Sequence, residues 1–116
     1  MADSTHLALQ STDKVAIAVV RCEKVGGREA QILEIDLRKA ATDRNWRMVI
    51  DLAEVTLLAS MGLGMLVTMH KEATINGGKL AICGLNADIL QLLKVTHLER
   101  VLKIHTDRES ALKAVS

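Results

Sequence analysis

The chain has 116 residues, 49% in the hydrophobic set and 25% charged, the composition of a globular domain and not of a disordered tail or long coil. Fifteen Lys and Arg against fourteen Asp and Glu give a formal charge of +1, which argues against a nucleic-acid partner. Trp46 is the only aromatic residue, so the stacking platforms of single-strand or sugar binders are missing and the core must be aliphatic.

In chain order, His6–Gln10 and the Val- and Ile-rich Lys14–Cys22 read as two strands of a hairpin around a Ser-Thr-Asp turn. Gly26-Gly27 then breaks the chain, and Ile32, Leu33, Ile35, Leu37 and Ala40 fall at helical spacing over Ala30–Thr42. Arg47–Ala53 is a short apolar run, typical of a central buried strand. Ser60–Ile75 reads as a crossover helix, with Ser60 as N-cap and Asn76-Gly77-Gly78 as a positive-φ stop. Lys79–Gly84 is a further strand, and Asn86 caps a helix through Lys94. Leu102–His105 gives a last strand, and Thr106-x-x-Glu109 reads as a capping box opening a helix to Val115.

This alternation predicts right-handed crossovers and an α/β fold. The expected architecture is one domain over residues 1–116, with a mixed, mostly parallel sheet of four or five strands and about four α-helices. Roughly 65% of the unfolded surface can be buried at this length, so no cross-links are needed. In such folds the loops at the carboxyl ends of strands carry function, and the loop Glu54–Ala59, which leads into Ser60, is one of these.

Other chemistries lack their residues. Cys22 and Cys83 stand far apart without a C-x-x-C and read as buried free thiols of a reducing compartment. His6, His70, His97 and His105 show no metal-ligand spacing, and there is no G-x-S-x-G elbow. Gly62-Leu63-Gly64 starts like a dinucleotide fingerprint, but Val67 stands at the third glycine position. Gly77-Gly78-Lys79 fails as a P-loop for the same kind of reason. Asp51 at a strand end has no histidine near it in sequence. No catalytic residue, metal or cofactor is expected, and neither is enzyme activity. The uncharged stretch Val55–His70 is too short for a membrane span, and Met1–Lys14 has no signal pattern. The expectation is a cytoplasmic protein with no membrane insertion.

The stretch from Asp51 to Leu66, Asp-Leu-Ala-Glu-Val-Thr-Leu-Leu-Ala-Ser-Met-Gly-Leu-Gly-Met-Leu, resembles the signature of the STAS domain, the fold of bacterial anti-sigma factor antagonists. Gly77-Gly78-Lys79-Leu80, Leu92-Leu93-x-x-Thr96-x-Leu98 and Ser110-Ala111-Leu112 continue the likeness, which covers about the last two thirds of the chain. The resemblance implies a protein-binding regulator of transcription that sequesters an anti-sigma factor of the histidine-kinase-like ATPase type and so frees a sigma factor. It implies Ser60 as the phosphorylation site, with a serine phosphatase as a second partner and homo-oligomers allowed. By the same resemblance Glu54, Thr56, Leu58, Ala59, Ser60, Met61, Gly62, Gly64 and Met65 form the partner-binding surface.

Ala59 and Met61 stand where the family usually has an acidic and a hydroxyl residue, and Glu29 stands at best in place of the usual acidic residue at the start of the first helix. These departures favour an alternative, a phosphorylation-independent STAS subunit or scaffold of a transport or sensory complex. A small-molecule or nucleotide binder is a third class, resting on analogy alone. On the second helix, Leu63, Leu66, Val67 and His70 form the better core stripe, leaving Met61 and Met65 as adaptable apolar groups near the surface. His97 stands at a position that favours left-handed glycine.

Overall fold

The computed structural model describes residues 6–116. β1 (Leu7–Leu9) and β2 (Ala16–Val20) form the expected hairpin, antiparallel with Leu7 opposite Val20. β3 (Lys24–Val25), α1 (Gly27–Thr42), β4 (Arg47–Asp51), β5 (Leu57–Leu58) and α2 (Ser60–Ile75) follow. The chain continues with β6 (Lys79–Cys83), α3 (Ala87–Val95), a single 3-10 turn (Leu98–Arg100), β7 (Ile104–His105) and α4 (Arg108–Val115). The main sheet has five strands in the order β1-β2-β4-β6-β7, and every pair except β1–β2 is parallel.

β4 lies between β2 and β6, and its side chains from Met48 to Asp51 are buried on both faces. Alternation sends Met48 and Ile50 to one face, where they meet Leu33 and Leu37 of α1, Leu66 and Met69 of α2, and Leu93 of α3. Val49 points the other way, into a smaller cluster with Ile17, Ala81, Ala111 and Val115 that α4 covers. Cys22 and Cys83 are free and buried. Burial first, then the nearby Asp51 carboxylate, push the Cys83 thiol up to about 11, so it stays protonated and unreactive at neutral pH.

The stops follow the chemistry read from the sequence. Gly77 takes φ 74; its N–H bonds Thr74 O at 3.2 Å and the N–H of Gly78 bonds Ala73 O at 2.8 Å, the pair of bonds that satisfies the last carbonyls of a helix. Asn86 Oδ1 accepts from Ile89 N at 2.8 Å and caps α3. His97 sits in the left-handed region at φ 63.

Several boundaries differ from expectation. The last helix is capped by Asp107, whose Oδ1 accepts from Ser110 N at 2.8 Å, and not by Thr106. The central strand stops at Asp51, because Asp51 Oδ1 accepts from Ala53 N at 2.9 Å and turns the chain away. β3 and β5 were not expected at all; they pair in parallel as a second, two-stranded sheet, and two residues are too few to show a period. On α2 the buried residues are Gly62, Met65, Leu66, Met69 and Ala73. Met65 is therefore core and not a surface group, at 3% exposure, while Leu63 and Val67 are only half-buried. The sheet claims the stripe through Met65 and Met69 because Gly62, on that same stripe, lets the helix seat closely.

Ile50 is fully buried on the large face. Ile50→Ala should cost about 2 to 5 kcal/mol of stability in urea denaturation, and a loss under about 1 kcal/mol would contradict this packing.

Candidate functional site

The candidate site forms where the short second sheet delivers two helix starts side by side. Lys24 pairs with Leu57 and Val25 with Leu58, and Ala59 N donates to Val25 O at 3.0 Å. Gly26-Gly27, opening α1, thus lies beside Ala59-Ser60, opening α2. Glu29 Oε1 accepts from Gly26 N at 2.9 Å, and that bond is the main cause holding its carboxyl below the ordinary range.

The first turn of α2 has a different arrangement from the one the sequence suggests. The N-cap is Ala59, at φ −79 and ψ 171, whose carbonyl accepts from Leu63 N at 3.0 Å. Ser60 is the first helical residue and does not cap; no side-chain oxygen does, and no acidic residue stands in the turn. The expected role of Ser60 as N-cap is corrected by one position, and the exposed hydroxyl is left without a capping duty. The turn presents orphan N–H groups next to that hydroxyl.

Gly62 explains how α2 comes so close to the short sheet. A Cβ there would stand 2.6 Å from Leu58 Cδ1 and 3.1 Å from both Val25 Cγ1 and Val25 O, so any side chain would push the turn outward. Gly64 is different: a Cβ would meet nothing within 4 Å. It lies on a shallow groove of about 530 Å³ between α1 and α2, flanked by Gln31, Glu34, Ile35, Ser60, Met61 and Thr68.

The approach loop from Leu52 to Thr56 is pinned at several points. Thr56 donates to Glu23 O through N (2.7 Å) and Oγ1 (3.0 Å). Asn86 Nδ2 donates to Val55 O and Thr56 O, both at 3.3 Å. At the base, the buried Asp51 Oδ2 accepts from Arg108 Nη2 at 2.9 Å and Nε at 3.1 Å. Two different carboxylate oxygens thus hold the loop's backbone and α4. Asp51 is a structural anchor, engaged on both sides.

Of the expected partner-binding residues, Glu54, Thr56, Ala59, Ser60, Met61 and Gly64 are exposed and make a rim along the loop and the start of α2. Leu58, Gly62 and Met65 are buried and can only support it from beneath. Reading the sequence alone missed Leu57 and Ile35, exposed at 55% and 56%, which enlarge the apolar part of the rim. Leu57 carries no sequence signal of its own, because the strand that turns it outward has two residues, too few to show alternation. Among the described residues, no group of three or more His, Cys, Asp or Glu could hold a metal ion, and no helix is long and apolar enough to cross a membrane.

The model of the STAS domain family matches residues 11–111. The TM1081 homolog of Thermotoga neapolitana is 29% identical over 69 residues, 60% of this chain and 61% of that protein. The anti-sigma F factor antagonist of Paenibacillus polymyxa is 28% identical over 65 residues, 56% of either chain; these two matches span less than two thirds of their relatives' length. The crystal structure of an anti-sigma factor antagonist from Mycobacterium paratuberculosis superposes with a TM-score of 0.82 at 21% identity, covering 94% of this chain and 92% of that one.

The missing cap can be supplied. The extended backbone at Ala59 suits a capping side chain, so Ala59→Asp should raise the unfolding free energy by about 0.5 to 2 kcal/mol, read by urea denaturation. A decrease would show that the side chain does not reach the open amides of α2.

Proposed function

Starting from the premise that this chain belongs to the STAS domain family, we propose that it is an anti-sigma factor antagonist, a regulatory module that acts by binding an anti-sigma factor and so frees a sigma factor. The observation that carries the reading is the rim of the first turn of α2, where an exposed serine sits among exposed apolar groups just after a rigidly held loop. Leu57 and Met61 are each 55% exposed, and the preceding loop adds the exposed Glu54 and Thr56. A mixed rim of this kind suits a protein surface with an apolar centre and polar edge. The named antagonists among the relatives support the same reading.

In this reading the partner is an anti-sigma factor of the histidine-kinase-like ATPase type, which also phosphorylates Ser60, and a serine phosphatase restores the binding form. A phosphate adds a charge of about −1.5 to −2. The orphan amides of α2 tolerate that charge in the free domain, so the fold persists. Docking would remove its water, and the cost falls on the complex. The module works in the cytoplasm by binding and performs no catalysis of its own. A second copy of the chain is a further partner in this reading.

Ser60→Asp should therefore weaken binding of the cognate anti-sigma factor by more than about 1.4 kcal/mol, a tenfold effect, while Ser60→Ala binds nearly as the unmodified chain does. Titration calorimetry reads both; equal affinities would remove the switch.

A second reading, favoured by Ala59 and Met61 where the family usually has acidic and hydroxyl residues, is a phosphorylation-independent STAS subunit or scaffold of a transport or sensory complex. The two readings part on labelling. Under the second, incubation with the kinase and Mg-ATP leaves Ser60 unlabelled both in the unmodified chain and in Ala59→Asp while binding is retained, as mass spectrometry would record with Ser60→Ala as the site control. Slow labelling that Ala59→Asp raises would mean instead that Ser60 is a kinase site weakened by the missing acidic neighbour. Rapid stoichiometric labelling of the unmodified chain returns the phospho-switched antagonist.

A further inference from the structure

The inner strand β6 is incompletely paired on one side. β7 pairs only with Ile82 and Cys83 of β6, so the first half of β6, Lys79–Ala81, has β4 on one side and no strand on the other. Lys79 N bonds Trp46 O at 2.9 Å on the β4 side, and Ile82 N bonds Lys103 O at 2.8 Å on the β7 side. Alternation along the strand therefore turns the N–H and C=O of Leu80 toward the open edge.

A cleft of about 290 Å³ occupies that edge, between the C-terminal half of α2 and the end of α4. Its apolar floor and wall are Leu80, Ala81, Ala114 and Val115, and its polar groups are Thr74, His70, His105, Lys79 and Lys103, with no carboxylate side chain among the lining residues. The wall is fixed, since Arg47 Nη1 donates to Val115 O at 3.1 Å. His70 Nδ1 is buried with no hydrogen-bond partner, a cost that native interiors rarely carry. Burial, then the charge of Lys103, lower the pKa of this imidazole, and both residues line the cleft.

We propose that this cleft binds a small organic anion, a carboxylate or phosphate ester with an apolar body of a few carbons. Lys79 and Lys103 would hold the charged head, and the outward N–H of Leu80 would orient it. The apolar body would lie on the exposed Ala114 and on the aliphatic stems of Lys79 and Lys103. A mostly apolar pocket with a few convergent polar groups is the usual form of a small-ligand site. The cleft is separate from the rim around Ser60: at 1.5 Å per residue, roughly 21 Å of α2 lies between Ser60 and Thr74. The proposal does not rest on the functional reading above.

Phenyl phosphate is the probe, titrated into the full chain and followed by ¹H–¹⁵N NMR. Saturable shifts should centre on the amides of Gly78, Lys79, Leu80, Ala81 and Lys103, with a Kd on the order of 1 mM. The double variant K79Q/K103Q, at exposed positions where the fold tolerates change, should weaken binding about tenfold, and Ala114→Trp should block it by filling the cleft. Inorganic phosphate and benzyl alcohol, each carrying half of the chemistry, should both bind more weakly. Absence of saturable shifts up to about 20 mM probe, or affinity unchanged in K79Q/K103Q, would overturn the site. Inorganic phosphate binding as tightly as phenyl phosphate would overturn the ligand class.

Discussion

The close seat of α2 on the short β3–β5 sheet is the constraint on which the site depends. It exists because position 62 carries no side chain: Leu58 and both the side chain and carbonyl of Val25 occupy the volume a Cβ would need. Once the turn is seated, Ala59 N reaches Val25 O, the α1 and α2 starts lie together, and Ser60 is directed outward. The motif glycines thus have unequal roles. Gly62 makes the architecture, whereas Gly64 relieves no clash and leaves the α1–α2 groove open where a side chain would occupy it.

Rigidity on one side of the site contrasts with an unfinished helix end on the other. The loop before Ser60 is held by Asp51, Glu23 and Asn86 through backbone and side-chain bonds, so its shape is set before any partner arrives, and little ordering entropy remains to be lost on docking. The first turn of α2, by contrast, has no capping side chain. A residue selected for stability alone would be Ser, Asp or Asn at position 59; Ala59 leaves both the amides and the serine beside them free for other groups.

How much of this the sequence discloses depends on the length over which a signal repeats. The apolar runs in β2 (Ala16–Val20), β4 (Met48–Ile50) and β6 (Leu80–Cys83) are legible because a strand buried on both faces needs consecutive apolar residues, and the glycine at 77 and the asparagine at 86 announce their roles through φ and hydrogen bonding. Two-residue strands repeat nothing, so β3 and β5 were invisible, and with them the reason Gly62 is glycine. The N-cap lies one residue before Ser60 because the carbonyl that opens the ladder belongs to Ala59, whose methyl group carries no capping signal. The helix faces were misread because α2 is apolar on nearly all sides: Leu63, Met65, Leu66, Val67 and Met69 leave no polar stripe to point the helix. The rim itself was legible through the STAS-like motif, apart from Leu57 and Ile35.

The unequal covering of the sheet bears on how this chain is made. One face is packed by three helices whose residues all precede Thr96, and the other is closed by α4 alone through Ala111, Val115 and the half-buried Leu112. During synthesis the helices of the larger face leave the ribosome well before α4 does, and domains are built from the N-terminal end. Val15, Ile17, Val49 and Ala81 would meanwhile stand bare on a nascent sheet until α4 emerges and covers them.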